Sequence, residues 1–424
     1  MTAGVKTEGA AGLIAGLVKT HAGLDLPVRL RTWDGSEAGP ADAPVLVAKS
    51  PRALQYILWR PGELGLARAY ISGDLEVEGD LADGLRRVWT AIRSKPHSGR
   101  TVSVPLIPQV PFALAAIRAA AQLNLLQRPW RPPEPPACEL RVSGRLHSRA
   151  RDRAVIAGHY DLTAAFYRLL MDPSMAYSCA YWTSDRAGYT LADAQRDKLE
   201  MICTKLALKP GQRLLDMGCG WGSLTVHAAR DYQARVSGVT LSTEQGGYVQ
   251  QRIRGLGLGE RAEVMIQDYR DPLEGRYDAA ASIEMGEHVG AARYPRFCAS
   301  LFRRLRPGGR LLIQQMSRGS RAPGGGPFIE SYITPDMTMR PVGETVALIE
   351  KAGFEVIGVQ AMREHYVRTI RAWLDNFERN LPEVEKLLTP EQVRVWRLYL
   401  AGGALAFADG RMGVDQILAV RPSQ

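Results

Sequence analysis

One nine-residue run constrains the fold of this chain more than any other: Leu214-Leu215-Asp216-Met217-Gly218-Cys219-Gly220-Trp221-Gly222. An apolar stretch that ends in an acid and three alternating glycines reads as a buried strand turning sharply into a helix. The flanks agree. Residues 213–217 read as a strand, 224–231 as a helix and 234–240 as a second strand. Ser242 then serves as the N-cap of another helix, with Gln245 three positions on. Further strands are predicted over 262–267, 277–283 and 310–315, the last entered through the turn Arg306-Pro307-Gly308-Gly309. Late strands follow over 354–359 and 416–420. Strands alternating with helices imply an α/β fold, a Rossmann-like, doubly wound and mostly parallel sheet.

The chain has 424 residues, long enough for two domains. Arg128-Pro129-Trp130-Arg131-Pro132-Pro133-Glu134-Pro135-Pro136 cannot lie within a helix or a central strand, so it marks a linker. Before it, three- and four-residue apolar spacing over 51–58 and 81–92 predicts helices. The expected organisation is a smaller, mainly helical domain over 1–127, a linker over 128–137 and the α/β domain over 138–424. The glycine-rich stretch 317–326 reads as a lid or a plain connection.

No apolar run reaches the length of a membrane-spanning helix, and no secretory leader is evident, so a cytoplasmic protein is expected. The five cysteines include no CxxC pair, which argues against a metal site and a disulfide framework. The net charge of +10 favours an anionic partner, nucleic acid or membrane. Arg128, Arg131, Arg141, Arg145, Arg149, Arg151 and Arg153 concentrate part of it, either as a solvated linker or as a contact for lipid headgroups.

In a doubly wound sheet the ligand sits at the carboxyl end of the first strand. Dinucleotide folds also place glycines there, but three features favour S-adenosylmethionine instead. The loop around Asp216, Gly218 and Gly220 lacks the GxGxxG spacing that seats a pyrophosphate. The second strand ends in Gly238-Val239-Thr240, without the acid that a nicotinamide enzyme uses on its ribose. Gln267, Asp268 and Tyr269 follow the third strand, where they are expected to meet the adenine.

Several longer runs carry a resemblance. They include Gly158-His159-Tyr160-Asp161, Met175-Ala176-Tyr177-Ser178-Cys179-Ala180-Tyr181-Trp182 and Lys198-x-x-Met201-Ile202-Cys203. Gly238-Val239-Thr240-Leu241-Ser242-x-Glu244-Gln245, Gln267-Asp268-Tyr269-Arg270-Asp271 and Glu287-His288-Val289-Gly290 follow in order. With these the chain resembles the cyclopropane fatty acid synthases and mycolic acid methyltransferases over nearly its whole length. The resemblance adds Tyr177, Ser178 and Gln245 to the expected cofactor contacts.

It also implies a reaction: transfer of a methyl group to the double bond of an unsaturated acyl chain of a phospholipid. A carbocation forms, and a proton must then leave. In the family a bound bicarbonate is thought to accept it, and the matching positions are Cys179 (through its backbone), Glu287 and Tyr366. The family's histidine is replaced by Gln314, which donates a hydrogen bond but carries no proton. Aromatic faces such as Tyr177, Tyr332 and Tyr366 suit a cation. The role of Glu284, on the same strand end, is left open.

Proton loss closes a cyclopropane or, after a hydride shift, gives an exocyclic methylene. The methylene product, as in the actinobacterial branch that makes 10-methylene and 10-methyl stearic chains, is placed slightly ahead, with a separate reductase as partner. The resemblance further implies a homodimer, peripheral at the inner face of the membrane, with no nucleic-acid partner. The competing readings are an RNA or small-molecule methyltransferase and a non-catalytic lipid-binding relative.

Overall fold

Apolar residues that alternate along a strand supply both faces of a sheet, and the central strands here do so. Leu214 packs into one core layer and its neighbour Leu215 into the other; Leu312 and the flanking Leu311 and Ile313 divide in the same way. The computed structural model describes residues 9–93, 131–160, 163–319 and 325–423. Residues 94–130, including Arg128, Pro129 and Trp130 of the linker, and 320–324 of the glycine-rich stretch lie outside them.

The chain divides into two compact units, one of Met1–Glu139 with Leu388–Gly402, the other of Leu140–Leu387 with Gly403–Gln424. The first unit contains the expected helices, as Pro51–Trp59 and Leu81–Arg93, and a further helix Glu63–Ile71. Ser50 caps the first of these by accepting from Arg52 N. It also holds a four-stranded sheet that the periodicity does not reveal: β1 (Arg29–Thr32), β2 (Glu37–Ala38), β3 (Val45–Ala48) and β4 (Leu75–Glu78), in the order β2-β1-β3-β4. Strands of two to four residues are too short for an alternation signal. The segment Leu388–Gly402 joins this unit because Arg394 pairs with Glu76 at 2.7 Å and lies over the Tyr70 ring.

The second unit carries a seven-stranded sheet. Its strands are β5 (Arg213–Met217), β6 (Arg235–Thr240), β7 (Ala262–Ile266), β8 (Tyr277–Ile283), β9 (Leu305–Ser317), β10 (Glu355–Ala361) and β11 (Gly413–Val420). The order is β10-β11-β9-β8-β5-β6-β7. β7, β6, β5, β8 and β9 run parallel, and β11 is antiparallel to both of its neighbours. The order therefore reverses at β5, between β6 and β8, which opens a crevice at the carboxyl end of β5.

The expected turn before β9 is a bulge inside it. Tyr277 pairs with Leu305 and Ala279 with Arg310, so the extra residues loop out without ending the strand. A Cβ on Gly309 would stand 2.8 Å from Arg306 O, and Gly308 has φ 77°, so both glycines are required there.

Candidate active site

Hydrogen bonds from Gly218 N and Cys219 N to Val239 O, each 2.9 Å, fasten the loop after β5 to β6. Gly218, Gly220 and Gly222 all have positive φ (84°, 52° and 78°). A Cβ on Gly218 would meet the Met285 side chain at 2.9 Å, and one on Gly222 would meet Val249 at 2.8 Å. Around Gly220 nothing stands within 4 Å, because it borders a cavity.

All of the expected cofactor residues except Asp268 line that cavity: Tyr177, Ser178, Asp216, Gly218, Gly220, Thr240, Gln245, Gln267 and Tyr269. Asp268 turns away to Arg270, which donates from Nε to Oδ1 at 2.6 Å and also binds Asp152 at 2.9 Å. Thr240 Oγ1 donates to Gln245 Oε1 at 2.9 Å, and Ser242 Oγ accepts from Gln245 N as the N-cap of helix Thr243–Gly255. The Tyr177 ring packs 5.2 Å from Trp373, and Tyr269 packs edge-on to Phe297. Tyr332 is not on the wall; it packs against Phe328.

Asp216 is buried and accepts from Thr225 Oγ1 at 2.7 Å. Burial pushes its carboxyl up to about 6, opposed by the Thr225 bond and the charge of Lys198. Lys198 is itself buried, on the cavity wall, and donates to Ser178 Oγ at 2.9 Å. Its helix, Leu191–Lys205, buries Leu191, Ala194, Gln195, Lys198, Leu199 and Ile202. A lysine at the core-facing spacing of a helix is a legible signal of function or pairing; the run from Lys198 to Cys203 carries the resemblance but assigns the lysine no role.

At the far end of β8, four groups meet. The Glu284 carboxylate accepts from Cys179 N (2.8 Å), from Gln314 Nε2 (2.8 Å) and from Tyr366 OH (2.7 Å). Three of the residues matched to the bicarbonate site thus converge, but they surround Glu284 rather than Glu287. Glu284 lines the cavity, and its φ is 51°, the left-handed region that non-glycine residues rarely enter. Burial raises its pKa, and the bonds from Tyr366, Cys179 and Gln314 and the charge of Lys198 oppose that rise.

Glu287 follows in the short 3-10 turn Gly286–His288 and is wholly buried. Burial, then repulsion by Glu284, pushes its carboxyl up to about 8. Among the described residues no side chain donates to it, so it sits beside the cluster without joining its hydrogen bonds. The Cys179 thiol is also raised by burial, in keeping with a backbone contribution rather than a nucleophilic one.

A cationic sulfonium nucleoside fits this cavity: Gly220 leaves the main chain open, and the acid Asp216 lines it. A bicarbonate does not fit the expected place, because the donors that would hold it are already taken by Glu284.

The chain is 36% identical over 418 residues to a probable fatty acid methyltransferase of Pseudomonas putida, covering 97% of this chain and 96% of that protein. It is 31% identical over 425 residues to the tuberculostearic acid methyltransferase of Mycobacterium tuberculosis, covering 97% and 92%. Among solved structures, a mycolic acid cyclopropane synthase in complex with SAH and CTAB aligns with a TM-score of 0.59 at 30% identity. That likeness covers 63% of this chain and 98% of the other. Residues 147–417 match the mycolic acid cyclopropane synthetase family, and they contain both the cofactor loop and the Glu284 cluster. The chain belongs to that family, the S-adenosylmethionine-dependent enzymes built on this sheet.

Proposed function

We propose that this chain methylates a carbon of the double bond in an unsaturated fatty acyl chain, held in a phospholipid at a membrane surface. The observation that carries this reading is Glu284 on the wall of the cofactor cavity, held by Cys179, Gln314 and Tyr366, where proton transfer is needed and water is unwelcome. S-adenosylmethionine supplies an electrophilic methyl group when bound. Asp216, Gly218, Gly220, Thr240 and Gln245 would hold it, with Tyr177, Ser178, Gln267 and Tyr269 completing the wall.

A cation on the acyl chain would be trapped by water as an alcohol, so the residues around it must be dry. Tyr366 is 5% exposed and Trp373 1%, and their rings lie 6.0 Å apart, edge to face. Such faces favour positive charge without offering a nucleophile.

The methylene-branched product is favoured over the ring. The tuberculostearic acid methyltransferase matches 97% of this chain, whereas the cyclopropane-fatty-acyl-phospholipid synthase of Escherichia coli matches 63%. A separate reductase would then convert the methylene to a methyl branch. The net charge of +10 supports attraction to an anionic membrane surface, and a homodimer is part of the same reading. Among the described residues no helix is long and apolar enough to cross a membrane.

The test is incubation with methyl-labelled S-adenosylmethionine and vesicles of dioleoyl phosphatidylglycerol, followed by mass spectrometry of the released fatty acids. A gain of one CH2 unit on the oleoyl chain is expected, and fragmentation at an exocyclic double bond marks the methylene product against the isomeric ring. Label transfer to RNA, or to no unsaturated lipid, would overturn the reading.

A further inference from the structure

After methyl transfer a proton has to leave a carbon that sits away from water. Among the acids that line the cavity, Glu284 is the one held by Cys179, Gln314 and Tyr366. Glu284 Oε1 accepts two N–H groups, from Cys179 and from Gln314, while Oε2 accepts only the Tyr366 hydroxyl among the described residues. An ionised carboxylate has about four lone-pair sites. One position on Oε2 is therefore left over, on a residue that borders the cavity.

The donors are themselves fixed. Gln416 Nε2 donates to Gln314 Oε1 at 2.8 Å, which turns the Gln314 amide nitrogen toward Glu284. Lys205 Nζ in turn donates to Gln416 Oε1 at 2.6 Å, so a cation stands at the head of the relay. The backbone of Glu284 is held in the left-handed region, with its N–H bonded to Gln314 O at 2.6 Å. A strained residue kept in place by its surroundings, on a cavity wall, is where chemistry is to be sought.

We propose that Glu284 is the catalytic base of the reaction, a carboxylate built into the chain that stands in for bicarbonate. This rests on the acyl-chain methylation proposed above. The S–CH3 bond breaks with its electrons left on sulfur, and the alkene π pair forms the new C–C bond. The adjacent carbon becomes cationic. Glu284 Oε2 then takes a proton from the added methyl carbon, and that C–H electron pair closes the ring onto the cationic carbon or, after a 1,2-hydride shift from the methyl-bearing carbon has moved the cation there, forms the methylene double bond. Glutamate becomes glutamic acid, and the proton passes to water when the products leave.

Two variants of the full chain test this. Glu284→Gln keeps the shape but cannot accept the proton. Glu284→Gly frees the three donors and suits the positive φ. Both are expected to lose about 10²–10⁴-fold in turnover with labelled S-adenosylmethionine and oleoyl vesicles. Calorimetric titration should show S-adenosylhomocysteine bound within about twofold of wild type, which establishes that each variant is folded. Sodium formate or bicarbonate should restore turnover to Glu284→Gly and not to Glu284→Gln. The wild-type chain should keep its rate in buffer stripped of carbon dioxide. A wild-type enzyme that stops without bicarbonate, or a Glu284→Gln variant with normal turnover, would overturn the assignment. A wild-type chain that methylates no unsaturated lipid at all would instead overturn the methylation reading, and the base with it.

Discussion

Gln416 on β11 donates its amide to Gln314 on the neighbouring strand β9, and the two residues are also direct register partners. An amide can point either way, and this bond decides the direction: Gln314 presents its N–H to Glu284. Gln416→Ala removes the constraint without touching the cavity wall. A neutral hydrogen bond contributes about 1 kcal/mol, so kcat should fall roughly five- to tenfold. KM for S-adenosylmethionine should hold steady, and steady-state kinetics separate the two. A fall in affinity with kcat intact would show that Gln416 serves the cofactor site instead.

Glu287 makes the stability of the fold depend on pH. Its carboxyl titrates at about 8 in the folded chain against an ordinary value of 4.5. Between those values the unfolded chain binds fewer protons than the folded one. Stability should therefore decline as pH rises from about 4.5 to 8, and be fully present below that window. Urea titrations of wild type and Glu287→Gln at pH 5 and pH 8 test this. The variant should be the less pH-sensitive of the two; parallel curves would show that Glu287 is ionised in the folded chain.

Lys198 is the cation whose charge opposes the raised pKa of both Asp216 and Glu284. Lys198→Met would leave two buried acids without it. Removing one partner of a buried charged group costs about 3–5 kcal/mol, and chemical denaturation should register a loss of that order. A loss below about 0.5 kcal/mol would mean that the acids are neutral without the lysine.

The two glycines of the cofactor loop should respond differently to alanine. Gly222→Ala meets Val249 at 2.8 Å as well as an unfavourable φ, so it should destabilise the fold, and Val249→Ala should restore part of the loss. Gly220→Ala meets nothing within 4 Å and carries only the left-handed cost of about 1–2 kcal/mol. Because Gly220 borders the cavity, its variant should lose affinity for S-adenosylhomocysteine more than stability. Calorimetry and thermal melts measure both.

Much of the α/β unit was legible because its strands are long enough to show their pattern. β5 and β8 fall at the expected residues, and Ser242 caps its helix as its spacing implies. The first unit was harder to read. Its sheet is made of strands two to four residues long, whose pairing depends on partners distant in sequence.

The cofactor loop is a local matter, and the sequence by itself determined it: glycines at Gly218, Gly220 and Gly222 allow only certain backbones, and neighbours in the chain enforce them. The same holds for the family, which follows from the order of its motifs. Which acid sits among Cys179, Gln314 and Tyr366 is decided by tertiary structure alone. Glu284 and Glu287 are three positions apart on one strand end, and motif matching favours Glu287. The left-handed turn at Glu284 swings its carboxylate into donors contributed from residues 179, 314 and 366, far apart in the chain. Hydrogen bonds form where atoms converge in space, and no spacing along the sequence encodes that convergence.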